Sequence, residues 1–262
     1  MELSVFQVDA FTDQLFGGNP ACVVPLSKWL DDTTMLKIAK ENGVAETAFF
    51  LSNGDHYHIR WFTPDIEMDL CGHATLATAH VLKDHLNEKS ETITFQSRSG
   101  ILTVKKELDQ YTLDFPSRMP LRSELPDIIQ KGIDRQPKEV LKSRDYFLVY
   151  EREEDIRNIK LNRQILDAIN LDPGGIIITA PGNTVDFVSR FFTTQSTLFE
   201  DPATGSAHCS LIPFWSKRLG KVDMTALQLS ERVGKLNCKL QNDRVLITGQ
   251  AKTYLVGKIW TV

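Results

Sequence analysis

The chain has 262 residues, a formal charge of -4 and an isoelectric point near 5.9, with 42% hydrophobic and 24% charged residues. That length suits one large domain or two ordinary ones with a core each, and the acidic balance with scattered Lys and Arg argues against a nucleic-acid partner. No signal-peptide start or membrane-length apolar run is visible, and the four cysteines (Cys22, Cys71, Cys209 and Cys238) form no CxxC pair, so a cytoplasmic protein with reduced thiols and no membrane partner is expected.

In chain order, alternating apolar patterns predict strands over residues 3–10, 21–25, 47–51 and 57–62. Asp31 or Asp32 can cap a helix running to about residue 42, where Gly43 suits its stop. Residues 72–86 predict a helix that is apolar on nearly every side and is therefore wrapped by other elements. Strands follow over 92–96, 101–106 and 111–115. The stretch 116–137 contains four prolines and weak periodicity, and reads as a linker. Beyond it, strands are expected over 146–150, 175–180 and 184–193, then a second buried helix from near Gly205. Pro213 would bend that helix or shift its boundary. Strands over 227–230, 236–240, 245–249 and 253–260 complete the chain. The acidic run 151–155 reads as a solvated helix start.

Two short strings recur. His58-Ile59-Arg60-Trp61-Phe62-Thr63 is echoed by Val188-Ser189-Arg190-Phe191-Phe192-Thr193, 130 residues on, and Gly72-His73-Ala74 by Gly205-Ser206-Ala207, 133 residues on. Two echoes in one order at nearly one offset point to a duplicated unit. The expected units are α/β, each a curved, largely antiparallel sheet around one central helix.

Chemistry concentrates at the two glycines. A helix start carries free N–H groups and the positive end of a dipole, which favour an anion, and glycine lets the main chain approach a ligand. The plainer alternative is a tight turn into a packed helix. His73 and Ser206 follow the glycines at equivalent places; His73 can hydrogen-bond or protonate a substrate oxygen, or simply pack. Asp201 reads as an N-cap with Pro202 at the first helical position, or as a partner for a substrate ammonium. Glu46 sits in an apolar run; burial would raise its pKa and suit it to carry a proton near neutrality, unless it points to solvent from a strand end. His56 and His58 share a strand face but lack a third metal ligand of clear spacing. Gly17-Gly18-Asn19-Pro20 lacks the spacing that cradles phosphates.

Taken together, Phe16-Gly17-Gly18-Asn19-Pro20-Ala21, Glu46-Thr47-Ala48-Phe49, Phe62-Thr63-Pro64 with Leu70-Cys71-Gly72-His73-Ala74-Thr75, and Glu200-Asp201-Pro202-Ala203-Thr204-Gly205-Ser206-Ala207-His208 resemble the phenazine-biosynthesis-like (PhzF-like) isomerase family. The resemblance implies an α+β protein of two pseudo-symmetric diaminopimelate-epimerase-like domains, each a barrel-like, mostly antiparallel sheet around a central helix. Their expected extents are 1–117, with 250–262 returning to it, and 118–249, with the active site in the cleft between them. It implies Glu46 as the proton-shuttling glutamate and Gly72, His73, Asp201, Gly205 and Ser206 as substrate-binding residues. The implied activity is cofactor-independent isomerisation of a small cyclic or amino carboxylic acid, with no metal and a homodimeric assembly. The alternatives are an epimerase or racemase of amino or hydroxy acids, and a non-catalytic protein that binds a small carboxylate. Related epimerases oppose two cysteines. Cys71 stands at the first of those places, but Asp201-Pro202-Ala203-Thr204 offers no second thiol, so two-thiol inversion is not expected and Cys71 reads as packing.

Overall fold

A computed structural model of the chain describes residues 1–172 and 174–261. Two units form, one from residues 1–115 together with the segment from 246 onward, the other from residues 116–245. In the first, β1 (Glu2–Ala10), β2 (Asn19–Leu26), α1 (Asp32–Asn42), β3 (Glu46–Asn53), β4 (His56–Phe62), β5 (Glu67–Met68), α2 (Gly72–Asp84), β6 (Thr92–Ser97), β7 (Gly100–Glu107) and β8 (Gln110–Pro116) follow in order. In the second come β9 (Leu121–Arg122), α3 (Asp127–Gly132), β10 (Glu139–Lys142), β11 (Tyr146–Val149), α4 (Glu153–Asn158), α5 (Arg163–Leu166), β12 (Ile176–Pro181), β13 (Phe187–Phe192), β14 (Glu200–Asp201), α6 (Gly205–Leu219), β15 (Asp223–Gln228) and β16 (Gly234–Gln241). The chain ends in β17 (Arg244–Gly249) and β18 (Ala251–Trp260). Among the described residues no helix is long and apolar enough to cross a membrane.

The duplication holds strand by strand. In the first unit β1–β2 is antiparallel, β2–β3 parallel, β3–β4 and β4–β5 antiparallel, β4–β6 parallel and β6–β7 antiparallel. The second unit repeats that sequence of signs over β10–β11, β11–β12, β12–β13, β13–β14, β13–β15 and β15–β16. β18 runs antiparallel to β1 as β9 does to β10. Each unit carries one enveloped helix. In α2 every residue from Gly72 to Leu82 is buried, and in α6 every residue from Gly205 to Ser216 except Ser206. By contrast α1 is a one-faced helix: Met35, Ile38 and Ala39 pack with Val24, Phe49 and Phe62. Its caps are those expected from sequence, the Asp31 carboxylate accepting from the Thr34 N–H at 2.9 Å and Gly43 in the left-handed region at φ 64°.

Three expectations are corrected. The proline-rich stretch 116–137 is not a bare linker: it holds β9 and α3, and Ile129 within it is fully buried in the second unit's core. The acidic run 151–155 does start a helix, α4, with Glu151 and Glu154 exposed, but Glu153 and Asp155 are buried rather than solvated. Glu153 is only 4% exposed, its carboxylate accepting from Arg157 Nε at 2.8 Å and from the Asn183 N–H at 2.7 Å; these partners replace the water that burial removes. Pro213 does not shift the boundary of α6, which runs on past it from Gly205 to Leu219. A proline frees the carbonyl four residues earlier, here Cys209, and that oxygen accepts from the Arg118 N–H at 2.8 Å.

The repeated strings at Arg60 and Arg190 form matching clasps. Arg60 meets Glu67 through Nε–Oε1 at 2.7 Å and Nη2–Oε2 at 2.6 Å, and Arg190 meets Glu200 through the same atoms at 2.7 and 2.8 Å. Each guanidinium also lies over a phenylalanine ring of its own strand, Phe62 at 5.2 Å and Phe192 at 4.9 Å. Each glutamate precedes its helix-leading glycine by five residues, so the clasp pins the loop that delivers the helix start. Two-point pairing fixes direction as well as distance. The clasps differ in redundancy, since Arg98 Nη2 also reaches Glu67 at 2.7 Å. Arg190→Met is therefore expected to lower stability in urea by about 3 kcal/mol, the cost of leaving a largely buried carboxylate without its partner. Arg60→Met should cost less, and equal losses would show that Arg98 does not substitute.

Candidate active site

The first unit assembles its polar residues through strand register. β2 and β3 run parallel with Ala21 opposite Glu46, so Asn19 and Glu46 emerge at the same end of the sheet. Gly18 makes the entry to β2 possible: its φ is +56°, and a Cβ there would stand 2.0 Å from the Ala10 carbonyl oxygen. The first turn of α2 completes the group. His73, 2% exposed, points Nε2 to within 3.1 Å of Glu46 Oε2, while its Nδ1 lies 3.1 Å from Asn19 Nδ2 and 3.6 Å from Cys71 Sγ. Both Glu46 Oε2 and His73 Nε2 are buried, and their contact is close enough for attraction but not aligned as a hydrogen bond. The helix start itself has no side-chain cap, Cys71 occupying the cap position, so its first N–H groups keep their capacity for an anion.

Electrostatics tighten this cluster. Burial pushes the Cys71 thiol up to about 11, with the Glu46 carboxylate adding to the effect, so the sulfur keeps its proton at neutral pH. Burial opposes a charge on His73, but Cys71 and Glu46 outweigh it and hold its pKa above the ordinary histidine value.

The second unit presents the matching helix start. Thr204 is the cap residue of α6 and makes no side-chain cap hydrogen bond. Asp201 is thus not the N-cap expected from sequence, nor is Pro202 the first helical residue: Asp201 ends β14, three residues earlier, and its carboxylate accepts from the Thr204 hydroxyl. The Thr204 N–H is taken by Gln228 Oε1 at 2.7 Å. Gly205 leads the helix, and the half-buried Ser206 Oγ accepts from Arg144 Nη2 at 3.0 Å. Arg144 is oriented by the buried Asp145, Nε to Oδ1 at 3.1 Å. The residues predicted from sequence thus gather within each unit: Glu46, Gly72 and His73 in one, Asp201, Gly205 and Ser206 in the other. Asn19 and Arg144 were missed. Nothing near Arg144 in sequence marks it, whereas Asn19 lies in a motif set aside for lacking phosphate-binding spacing. Cys71, read as packing, belongs to the polar cluster. His56 and His58 stack at 5.2 Å, both Nε2 atoms meeting the Asn53 amide.

A family model described as phenazine biosynthesis-like protein matches residues 8–257. The chain belongs to the phenazine biosynthesis-like family. Among its relatives is an uncharacterized isomerase of Pseudomonas aeruginosa, 44% identical over 259 residues that cover 99% of both chains. The crystal structure of a PhzF-family phenazine biosynthesis protein from Enterococcus faecalis is 43% identical, covers 100% of both chains and superposes with a TM-score of 0.94. A hydroxyproline epimerase of Agrobacterium vitis, only 11% identical with a TM-score of 0.63 over 98% of this chain and 92% of its own, shares the fold. Family membership and relatives named as isomerases make this phenazine biosynthesis-like chain an isomerase-class enzyme.

Two other histidines of this family member set an acid limit on its stability. His208 is completely buried, its Nδ1 2.8 Å from the Thr204 carbonyl and its Nε2 without a hydrogen-bond partner, and burial drives its pKa down to about 4. His80 is depressed to about 4 by the same cause. Below the unfolded value of about 6.5 the unfolded chain takes up protons that these rings refuse, so stability falls as pH falls from there towards 4. His73, raised instead, contributes stability that is fully present below 6.5, and does not tilt this window. In urea titrations between pH 6.5 and 5, His208→Gln should flatten the decline by up to about 1.4 kcal/mol per pH unit. A decline as steep as the parent's would remove His208 from the explanation.

Proposed function

We propose that the chain isomerises a small carboxylic acid by moving one proton between two carbons, with Glu46 as the proton carrier. The observation that carries this reading is the 3.1 Å approach of Glu46 Oε2 to His73 Nε2 at the uncapped start of α2, with both atoms buried and neither satisfied by an aligned partner. A carboxylate held in this way can turn to a carbon-bound hydrogen, while the imidazole opposite meets the oxygen on which charge develops. In the first step the C–H bond breaks, its proton passes to the Glu46 carboxylate and its electron pair moves into the adjoining π system. In the second the Glu46 O–H breaks and a new C–H bond forms at the other carbon, restoring the carboxylate.

Binding falls to the helix starts. The N–H groups led by Gly72 and Gly205 suit a carboxylate, and the Arg144 guanidinium beside Ser206 adds a positive charge of fixed direction. Asp201 serves a donor group on the substrate. No step here calls on a metal or an organic cofactor.

Proton NMR in D2O tests the reading with a panel of small cyclic and amino carboxylic acids. A true substrate should acquire deuterium at the carbon that receives the proton, with its double bond shifted. Label confined to the original carbon, with loss of optical rotation, would assign epimerisation instead. Glu46→Gln should cut turnover by about 100-fold or more while leaving ligand affinity within about tenfold, because the side chains are nearly isosteric. Unchanged turnover would take Glu46 out of the mechanism.

A further inference from the structure

At the start of α2 three side chains of different chemistry meet. The Glu46 carboxylate, the Cys71 thiol and the His73 imidazole each offer one ligand atom, and these atoms lie within 4.8 Å of one another. We infer that this cluster binds a soft divalent cation of the zinc class, and that such a cation inhibits the enzyme.

The donor set decides the class of ion. Sulfur and imidazole nitrogen with a single carboxylate oxygen suit zinc, cadmium or cobalt, whereas magnesium and calcium take oxygen shells. The spacing also fits. A tetrahedral ion with bonds of about 2.0 Å to nitrogen and oxygen holds those two atoms roughly 3.3 Å apart, and Glu46 Oε2 stands 3.1 Å from His73 Nε2. Those two atoms are buried and lack aligned hydrogen-bond partners, so a ligand between them displaces no hydrogen bond there. Cys71 Sγ must turn from its 3.6 Å contact with His73 Nδ1, and the Cys71 thiol and the His73 imidazolium each release a proton to solvent as the ion binds. The outer support is in place as well. A ligating histidine needs a hydrogen-bond partner at its other nitrogen, and the Asn19 carboxamide lies 3.1 Å from His73 Nδ1. Among the described residues no other group of three such ligands is found. Cys22, Cys209 and Cys238, equally buried and free, lie outside it.

Three protein ligands leave a fourth coordination position, which a water or the carboxylate of a small acid can fill. The ion also occupies the carboxylate that would receive the proton. Binding stands on the geometry alone; inhibition rests on Glu46 as the proton carrier.

Cadmium titrated into the full chain is the probe, read by the ultraviolet thiolate-to-metal charge-transfer band. The parent should show a band saturating at one ion per chain. Cys71→Ser should lose it and Cys209→Ser should keep it, with thermal unfolding confirming that both variants are folded. Glu46→Gln and His73→Gln should weaken cadmium binding by about tenfold or more, zinc should displace cadmium, and magnesium should have no effect. A band that survives in Cys71→Ser, or no band in the parent at micromolar cadmium, overturns the proposal. Because the band needs no turnover, its absence alongside an inactive Glu46→Gln variant sinks the cation site alone. Its presence alongside an active variant sinks the proton-carrier reading and the inhibition that rests on it, and leaves the cation site standing.

Discussion

A helix enclosed on all sides has only its ends left to do chemistry, and this constraint organises the molecule. α2 and α6 are buried along most of their length, so their lateral faces are spent on packing. Their first turns are not closed by side-chain caps, and there the backbone offers N–H groups that water or a ligand must satisfy. Enclosure has a second effect: it lowers the local dielectric around whatever sits at that end, so Cys71, His73 and Glu46 act on one another more strongly than they would at a surface.

Placing such an end accurately is the task of the strands before it. The Arg60–Glu67 and Arg190–Glu200 clasps tie the last long strand to the short one that precedes each helix, using the same atoms in both units. The duplication therefore preserved a piece of scaffolding while the residues after the glycine diverged to His73 in one copy and Ser206 in the other. The two starts now differ in character: the first adds a titratable ring beside a carboxylate, the second a hydroxyl beside the Arg144 guanidinium.

Features decided within a few residues were legible in the sequence. Asp31 and Gly43 bound α1 because a cap needs only its own turn, and the wrapped character of α2 followed from its apolar composition. Glu46 and His73 were singled out from their local settings and given roles by the family motifs, yet their approach depends on the β2–β3 register and on where α2 enters, which no local pattern encodes. The same holds for Asn19 and Arg144, whose partners His73 and Ser206 lie 54 and 62 residues away. Glu153 was misread for a related reason: the Asn183 N–H that makes its burial tolerable comes from 30 residues downstream. Asp201 failed differently. Its sequence suited a cap, but the Asp201 carboxylate bonds to the Thr204 side chain, and the helix begins after Thr204.

Pro213 has a consequence for how the second unit comes together. An ordinary helix can satisfy its interior carbonyls with its own N–H groups. α6 cannot, because the Cys209 carbonyl opposite the proline is satisfied by the Arg118 N–H, from a strand-poor stretch made long before the helix in synthesis. That stretch serves as the missing rung of a distant ladder, so the hydrogen bonding of α6 is completed by a non-local contact.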